Sequence, residues 1–252
     1  VAFDFYDKGD CDNASRNFLK YITKYPDGIF IVQAIFYKAE CDYLGKKYDL
    51  ALGGYQYVID KPYGTYTEQS LLKASYINFR NKNYQNALGQ YTRLAKVAEY
   101  PANANEGRIG EMRCFWLLGQ FEQAAASAQN VLLIEKITAE LQAEARLIIG
   151  KAAIERQDYD RAASELSPVV TLTKSEKSAE AKYHLAYVQF LRQQYKESQK
   201  SIFELINQDP GYDYWIGKGF ILLSDNYVSC HHSGFANICA CAYAWRLSCW
   251  VF

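Results

Sequence analysis

Apolar side chains recur along this chain in a register that repeats every 36–38 residues. The small residues Ala14, Ala51, Ala87, Ala124, Ala162 and Ser198 mark it, with separations of 37, 36, 37, 38 and 36. Three positions earlier stand Cys11, Tyr48, Tyr84, Phe121, Tyr159 and Tyr195. Four positions later come Phe18, Tyr55, Tyr91, Ala128, Leu166 and Ile202, and seven later Tyr21, Val58, Leu94, Val131, Val169 and Leu205. Offsets −3, 0, +4 and +7 lie on one face of a helix, so each unit carries a helix with an apolar stripe. A second set of columns precedes it. Offset −12 holds Ala2, Ala39, Ser75, Met112, Gly150 and Ala186, and offset −8 holds Tyr6, Tyr43, Phe79, Trp116, Ile154 and Phe190. Offset −15 holds Phe36, Leu72, Ile109, Leu147 and Tyr183. These predict a first helix in each unit.

Between the two helices lie short segments such as Lys8-Gly9-Asp10, Gly45-Lys46-Lys47, Asn81-Lys82-Asn83 and Arg156-Gln157-Asp158. Their Gly and Asn residues suit the left-handed backbone that ends a helix. Small side chains at −12 and at the reference let the paired helices approach closely, and aromatics fill the space around them. The pattern therefore predicts an all-α chain of about thirteen antiparallel helices with no sheet. Pro168 falls inside one predicted helix, about Asp160 to Leu172, where a missing backbone donor predicts a kink. The first unit has only the end of its first helix, Val1 to about Lys8, so either the chain is a fragment of a longer array or a few residues precede Val1. A seventh unit begins at Tyr212 and runs to about Val228, with Phe220 and Tyr227 expected at −15 and −8.

These columns, with Pro26 and Pro210 each twelve positions after a reference, resemble the tetratricopeptide repeat, a helix-turn-helix unit of 34 residues. The likeness covers about residues 2–228, with a period two to four residues longer. It implies a right-handed superhelical solenoid of about six and a half repeats. In that family the first helices line a concave surface. Carried over by position, the implied groove holds Tyr43, Phe79, Trp116 and Phe190 from offset −8. It adds Tyr76, Arg113, Lys151 and Tyr187 from −11, and Leu44, Arg80, Leu117 and Leu191 from −7. The resemblance thus implies a non-catalytic scaffold that binds a peptide or a partner protein through aromatic and Arg anchors. For the aromatics the alternative is that they pack between adjacent first helices and close a narrow core; for the whole chain the rival reading is a structural spacer or assembly subunit that uses its ends or convex face. The segment Asn17–Pro26 also resembles the bacterial cell-envelope branch, including lipoproteins of outer-membrane assembly, which implies a periplasmic or envelope setting.

Composition narrows the chemistry. Lys+Arg and Asp+Glu both count 28, so the net charge is zero. A single-stranded RNA reader built from helical repeats needs polar code residues on a basic surface, whereas offset −8 here is aromatic, so no nucleic acid is expected. Only three His are present, and His184 has no metal-spaced partner or signposted nucleophile. No phosphate-binding Gly loop occurs, so neither an enzyme nor a cofactor is expected. Cys41 and Cys114 share one column two units apart, roughly 20 Å or more at 8–10 Å per helix packing, beyond disulfide reach. They read as small buried hydrophobes, and the three body cysteines as non-pairing.

From Asn226 to Phe252 the only charge is Arg246, and four of the seven cysteines cluster there. The domain division expected is therefore a repeat array over 1–228 and an atypical tail over 229–252. Three readings of the tail stand open. One is a metal site from Cys230, His231, His232, Cys239 and Cys241; another is an apolar interface, for self-association, or a membrane-contacting tail; the third is a segment foreign to the fold. The chain begins at Val1 with no basic-then-apolar leader, and no transmembrane segment is expected.

Overall fold

The computed structural model describes residues 1–232, with side chains to Ser229. Among them all regular structure is helical, in thirteen helices. Two compact units divide the chain, residues 1–127 and 128–252.

The first unit holds α1 (Ala2–Asp7), α2 (Cys11–Lys24), α3 (Ile31–Leu44), α4 (Tyr48–Ile59), α5 (Thr67–Arg80), α6 (Tyr84–Val97) and α7 (Pro101–Leu117). The helix α8 (Phe121–Leu132) runs across the division. From α1 to α7 each helix packs against its neighbours in sequence, and the first helices α5 and α7 also touch. The reference residues Ala14, Ala51, Ala87 and Ala124 are fully buried, as the columns require. One core gathers Phe36, Ala51, Tyr55, Leu71, Ala87, Tyr91 and Leu94, and a smaller one Ala14, Phe18, Ala34 and Cys41. Close approach is built in at Gly107, where a Cβ would lie 2.5 Å from the Ala95 amide nitrogen.

The second unit continues with α9 (Ala139–Glu155), α10 (Tyr159–Leu172), α11 (Glu176–Leu191), α12 (Tyr195–Ile206) and α13 (Asp213–His232). Ala162, Ser198, Leu166, Val169, Ile202 and Leu205 are all fully buried. The helix α10 runs from Tyr159 to Leu172 with Pro168 inside it.

All six turns between paired helices share one geometry. The residue five before each reference is left-handed: Gly9, Lys46, Lys82, Gly119, Gln157 and Gln193, with φ between 55° and 75°. The amide after it returns to the carbonyl five residues back: Lys47 to Asp42 at 2.8 Å, Asn83 to Asn78 at 2.8 Å, Gln194 to Gln189 at 2.9 Å. This is the Schellman closure, which satisfies carbonyls left open at a helix end. The next helix starts at once, and Asp10 and Asp158 cap it by accepting from Asn13 N and Arg161 N. The left-handed residue is glycine in only two of the six turns. Gly45 and Asn81, which the sequence offers for that role, are right-handed, with φ of −75° and −78°. The Schellman hydrogen bonds fix the bend one position later, on a Lys.

With the turn fixed, the variation in period sits between units. Connections run from three residues (98–100) to seven (60–66). One is held by Glu68 at the start of α5, whose carboxylate accepts from Glu99 N at 3.0 Å, Tyr100 N at 3.3 Å and Asn103 Nδ2 at 2.7 Å. Burial opposes the charge on Glu68, but those donors together keep its carboxyl below the usual range.

The seventh unit corrects two expectations. Its buried face is Trp215, Gly219, Leu222 and Asn226, and Phe220 is 51% exposed. Leu222, not Leu223, takes the place equivalent to Ala186, so Gly219 and Asn226 fill −15 and −8 instead of Phe220 and Tyr227. The reason is anchoring. Leu222 packs with Ala186 and Ile202, Trp215 packs with Ala179 and Leu205, and Asn226 Nδ2 donates to Ser198 Oγ at 3.0 Å. The helix α13 also continues to His232, past the expected break at Val228. The tail readings for Cys239, Cys241 and self-association fall outside the described residues.

Candidate partner-binding surface

The first helices α3, α5, α7, α9 and α11 carry every side chain that the sequence singles out for binding. Their turn-proximal aromatics at −8 are half-buried and pack on the ring that opens the next helix. Centroid distances are 5.5 Å for Tyr43–Tyr48, 5.5 Å for Phe79–Tyr84, 4.8 Å for Trp116–Phe121 and 5.8 Å for Phe190–Tyr195. Such tilted ring pairs suit the aromatic quadrupole. The pairing follows from the turn, which places −8 and −3 on facing sides of one bend.

Offsets −11 and −7 differ. In the first unit Leu44 is 63% exposed, Tyr76 45% and Leu117 48%, and Arg80 is exposed beside them in register. The Arg80 guanidinium lies 4.8 Å from the Tyr48 ring centroid and 5.8 Å from that of Tyr76. Hydrogen bonding to Tyr48 and the charge of Tyr76 raise its pKa, so it is always cationic. Arg113 is half-buried and near Tyr91.

A buried charged cluster sits behind this face. Glu40 Oε1 accepts from Tyr55 OH at 2.6 Å and Glu40 Oε2 from Lys73 Nζ at 2.5 Å. The Lys73 ammonium also lies 4.8 Å from the Tyr43 ring. Burial and the Glu40 carboxylate push the Tyr55 phenol far up, so it stays a donor. Sequence reasoning passed over this cluster, although Glu40 stands at −11, in the same column as Tyr76.

In the second unit the anchors are occupied. Lys151 Nζ meets Glu180 Oε1 at 2.6 Å. Tyr187 stacks between Tyr183 and Phe190 at 6.4 and 6.5 Å, a ladder one helix turn apart along α11. His184 packs edge-on to Tyr183 and Trp215 at 5.2 and 5.8 Å. Burial, then the charges of Lys151 and Lys218, lower its pKa to about 3. It is neutral at physiological pH and has no proton to give as an imidazolium.

The structure thus brings together Tyr76 with Arg80, and Tyr187 with Phe190. Phe79 turns instead toward Tyr84 and Tyr91, and Trp116 toward Phe121. The second helices α4 and α6, with Leu71 and Asn78 of α5 between them, flank a polar groove of about 780 Å³. Asn78, Gln90 and Gln56 cross its floor as an amide chain, with links of 2.9 and 3.0 Å. Among the described residues no three His, Cys, Asp or Glu side chains are placed to hold a metal, and no helix is long and apolar enough to cross a membrane.

Paired antiparallel helices closed by a shared turn, with small residues buried at both helix faces, define the tetratricopeptide-repeat fold. Solved structures with that fold superpose on this chain. One is a tetratricopeptide repeat protein from Parabacteroides merdae, with 14% identity, 94% of this chain and 87% of that one covered, and a TM-score of 0.50. Another is YrrB, described as a tetratricopeptide-repeat protein with an unusual peptide-binding site, at 14% identity, 81% and 98% coverage and a TM-score of 0.59. A third is in the Naa15/Naa10 complex bound to HypK-THB, at 15% identity, 88% and 33% coverage and a TM-score of 0.61. This chain spans a third of that last one. No protein-family model matches the sequence, and no curated protein does.

Proposed function

We propose that this protein is a non-catalytic interaction scaffold whose first helices hold a peptide segment of a partner protein. The observation that carries the reading is the row Leu44, Tyr76, Arg80 and Leu117. These are exposed side chains on three successive first helices of one compact unit, Tyr76 at offset −11 and the other three at −7. A repeat that needs only buried columns to stack has no structural use for Leu44 and Leu117 in solvent at one offset with Tyr76 exposed on the helix between them. Three apolar contacts beside one permanent cation suit a peptide with hydrophobic side chains and an acidic group. YrrB and the Naa15/Naa10 assembly, which share the fold, are described with a peptide-binding site and with a bound protein, which supports the same class of role.

In this reading the −8 rings Tyr43, Phe79, Trp116 and Phe190 mainly hold the turns, and the contact surface lies at −11 and −7. The second reading, a spacer or assembly subunit that contacts partners through its second helices, draws on the polar groove between α4 and α6. A random-peptide display selection separates them. Peptides selected on the full chain should lose binding to a Leu44→Ser, Tyr76→Ala, Leu117→Ser variant and keep it with Gln56→Ala, Arg93→Ala. The reverse pattern would place the site on the second helices.

A further inference from the structure

Offset −3, an aromatic in units two to six, is Cys11 in the first. In later units that ring fills the space at the bend. Cys11 also lines a cavity of about 400 Å³ between α2 and the end of α3, with Asp12, Ser15, Arg16, Cys41, Asp42, Gly45 and Lys47. Two cysteines from adjacent packed helices, α2 and α3, therefore face one solvent-connected space. They also touch the same apolar cluster, with Cys41 buried in it and Cys11 packed against it half-exposed. Cys114 is the control. It occupies the same column as Cys41, is fully buried, and has Tyr84 where Cys11 would stand.

We propose that Cys11 and Cys41 are a redox-active thiol pair, a modification site that closes to a disulfide on meeting a low-molecular-weight disulfide and ties the first repeat to the second. The two cysteines are not joined in the structure. Cys11, the accessible one, attacks the small disulfide RSSR as its thiolate, forming Cys11–S–SR and releasing one RSH after proton uptake. The Cys41 thiolate then attacks the Cys11 sulfur, the S–SR bond breaks, and the second RSH leaves. The pair loses two electrons and two protons, and RSSR takes up both. Burial first, then the neighbouring Cys11, hold the Cys41 thiol well above its usual pKa, so the second step is the slow one. The closed bond would bridge residues 11 and 41, removing freedom from the unfolded chain over that loop.

The test is oxidation of the full chain with oxidised glutathione, followed by alkylation and peptide mapping without reduction. Arg16, Lys20, Lys24 and Lys38 lie between the two cysteines, so trypsin separates them unless they are joined. The result expected is the Cys11–Cys41 peptide pair in most molecules, a raised thermal midpoint reversed by reductant, and Cys114 still free. Cys41→Ser should stop at the glutathione adduct on Cys11, and Cys11→Ser should leave Cys41 unmodified. Recovery of Cys41 as a free thiol in the oxidised wild-type protein, with Cys11 capped or not, overturns the proposal. So does Cys11 joined mainly to any other cysteine, including those of the tail.

Discussion

Four lysines and glutamines carry a backbone conformation that an L side chain resists. Lys46, Lys82, Gln157 and Gln193 are left-handed at the turn that Gly9 and Gly119 make without a steric conflict. Left-handed backbone costs a non-glycine residue roughly 1 kcal/mol. Replacing Lys46 or Lys82 with Gly should therefore stabilise the fold by up to about 1 kcal/mol, less the added entropy of the unfolded chain. Gly119→Ala should destabilise by a similar amount, and urea unfolding reads both signs. His184 makes a different demand. Its folded pKa is about 3 against the usual 6.5, so between those values the unfolded chain binds the extra proton. Its contribution is full above pH 6.5 and falls as the pH drops, at about 1.4 kcal/mol per unit. Buried carboxylates also lose stability in acid. The informative quantity is the difference: wild type should lose more stability than His184→Gln between pH 7 and pH 5, in unfolding curves at the two values.

At the scale of helices, the pairs stand on small residues that cannot grow. Ala87 is fully buried in the core with Ala51, Leu71 and Tyr91. Ala87→Leu should overpack it and cost roughly 1–3 kcal/mol, measured as a lowered denaturation midpoint with helical content kept. These columns were legible in the sequence because one residue type recurs at one spacing, and every reference alanine proved buried. The turns were legible as turns, but not in detail. Gly45 drew attention to the wrong position, since hydrogen bonding and not residue preference sets the register of a Schellman closure. The seventh unit was misplaced by one residue because Phe220 and Tyr227 imitate the aromatic columns, while the real anchors are Trp215, Leu222 and Asn226. No period marks the Cys11–Cys41 contact, which depends on which helices lie side by side.

For the chain as a whole, periodicity disclosed the fold much better than the candidate site. The same offset −11 holds a buried Glu40, an exposed Tyr76 and a paired Lys151, so position within the repeat does not decide exposure. Burial depends on the neighbouring units, whose connections vary in length. The claim that matters most is that the exposed row on α3, α5 and α7 is where a partner sits. Its most direct measurement is the affinity of one display-selected peptide for wild type and for Tyr76→Ala, Leu117→Ser, by fluorescence anisotropy with circular dichroism as the folding control. The predicted result is at least a tenfold weaker Kd, about 1.4 kcal/mol or more, with helical content unchanged. An unchanged Kd in a folded variant would contradict it.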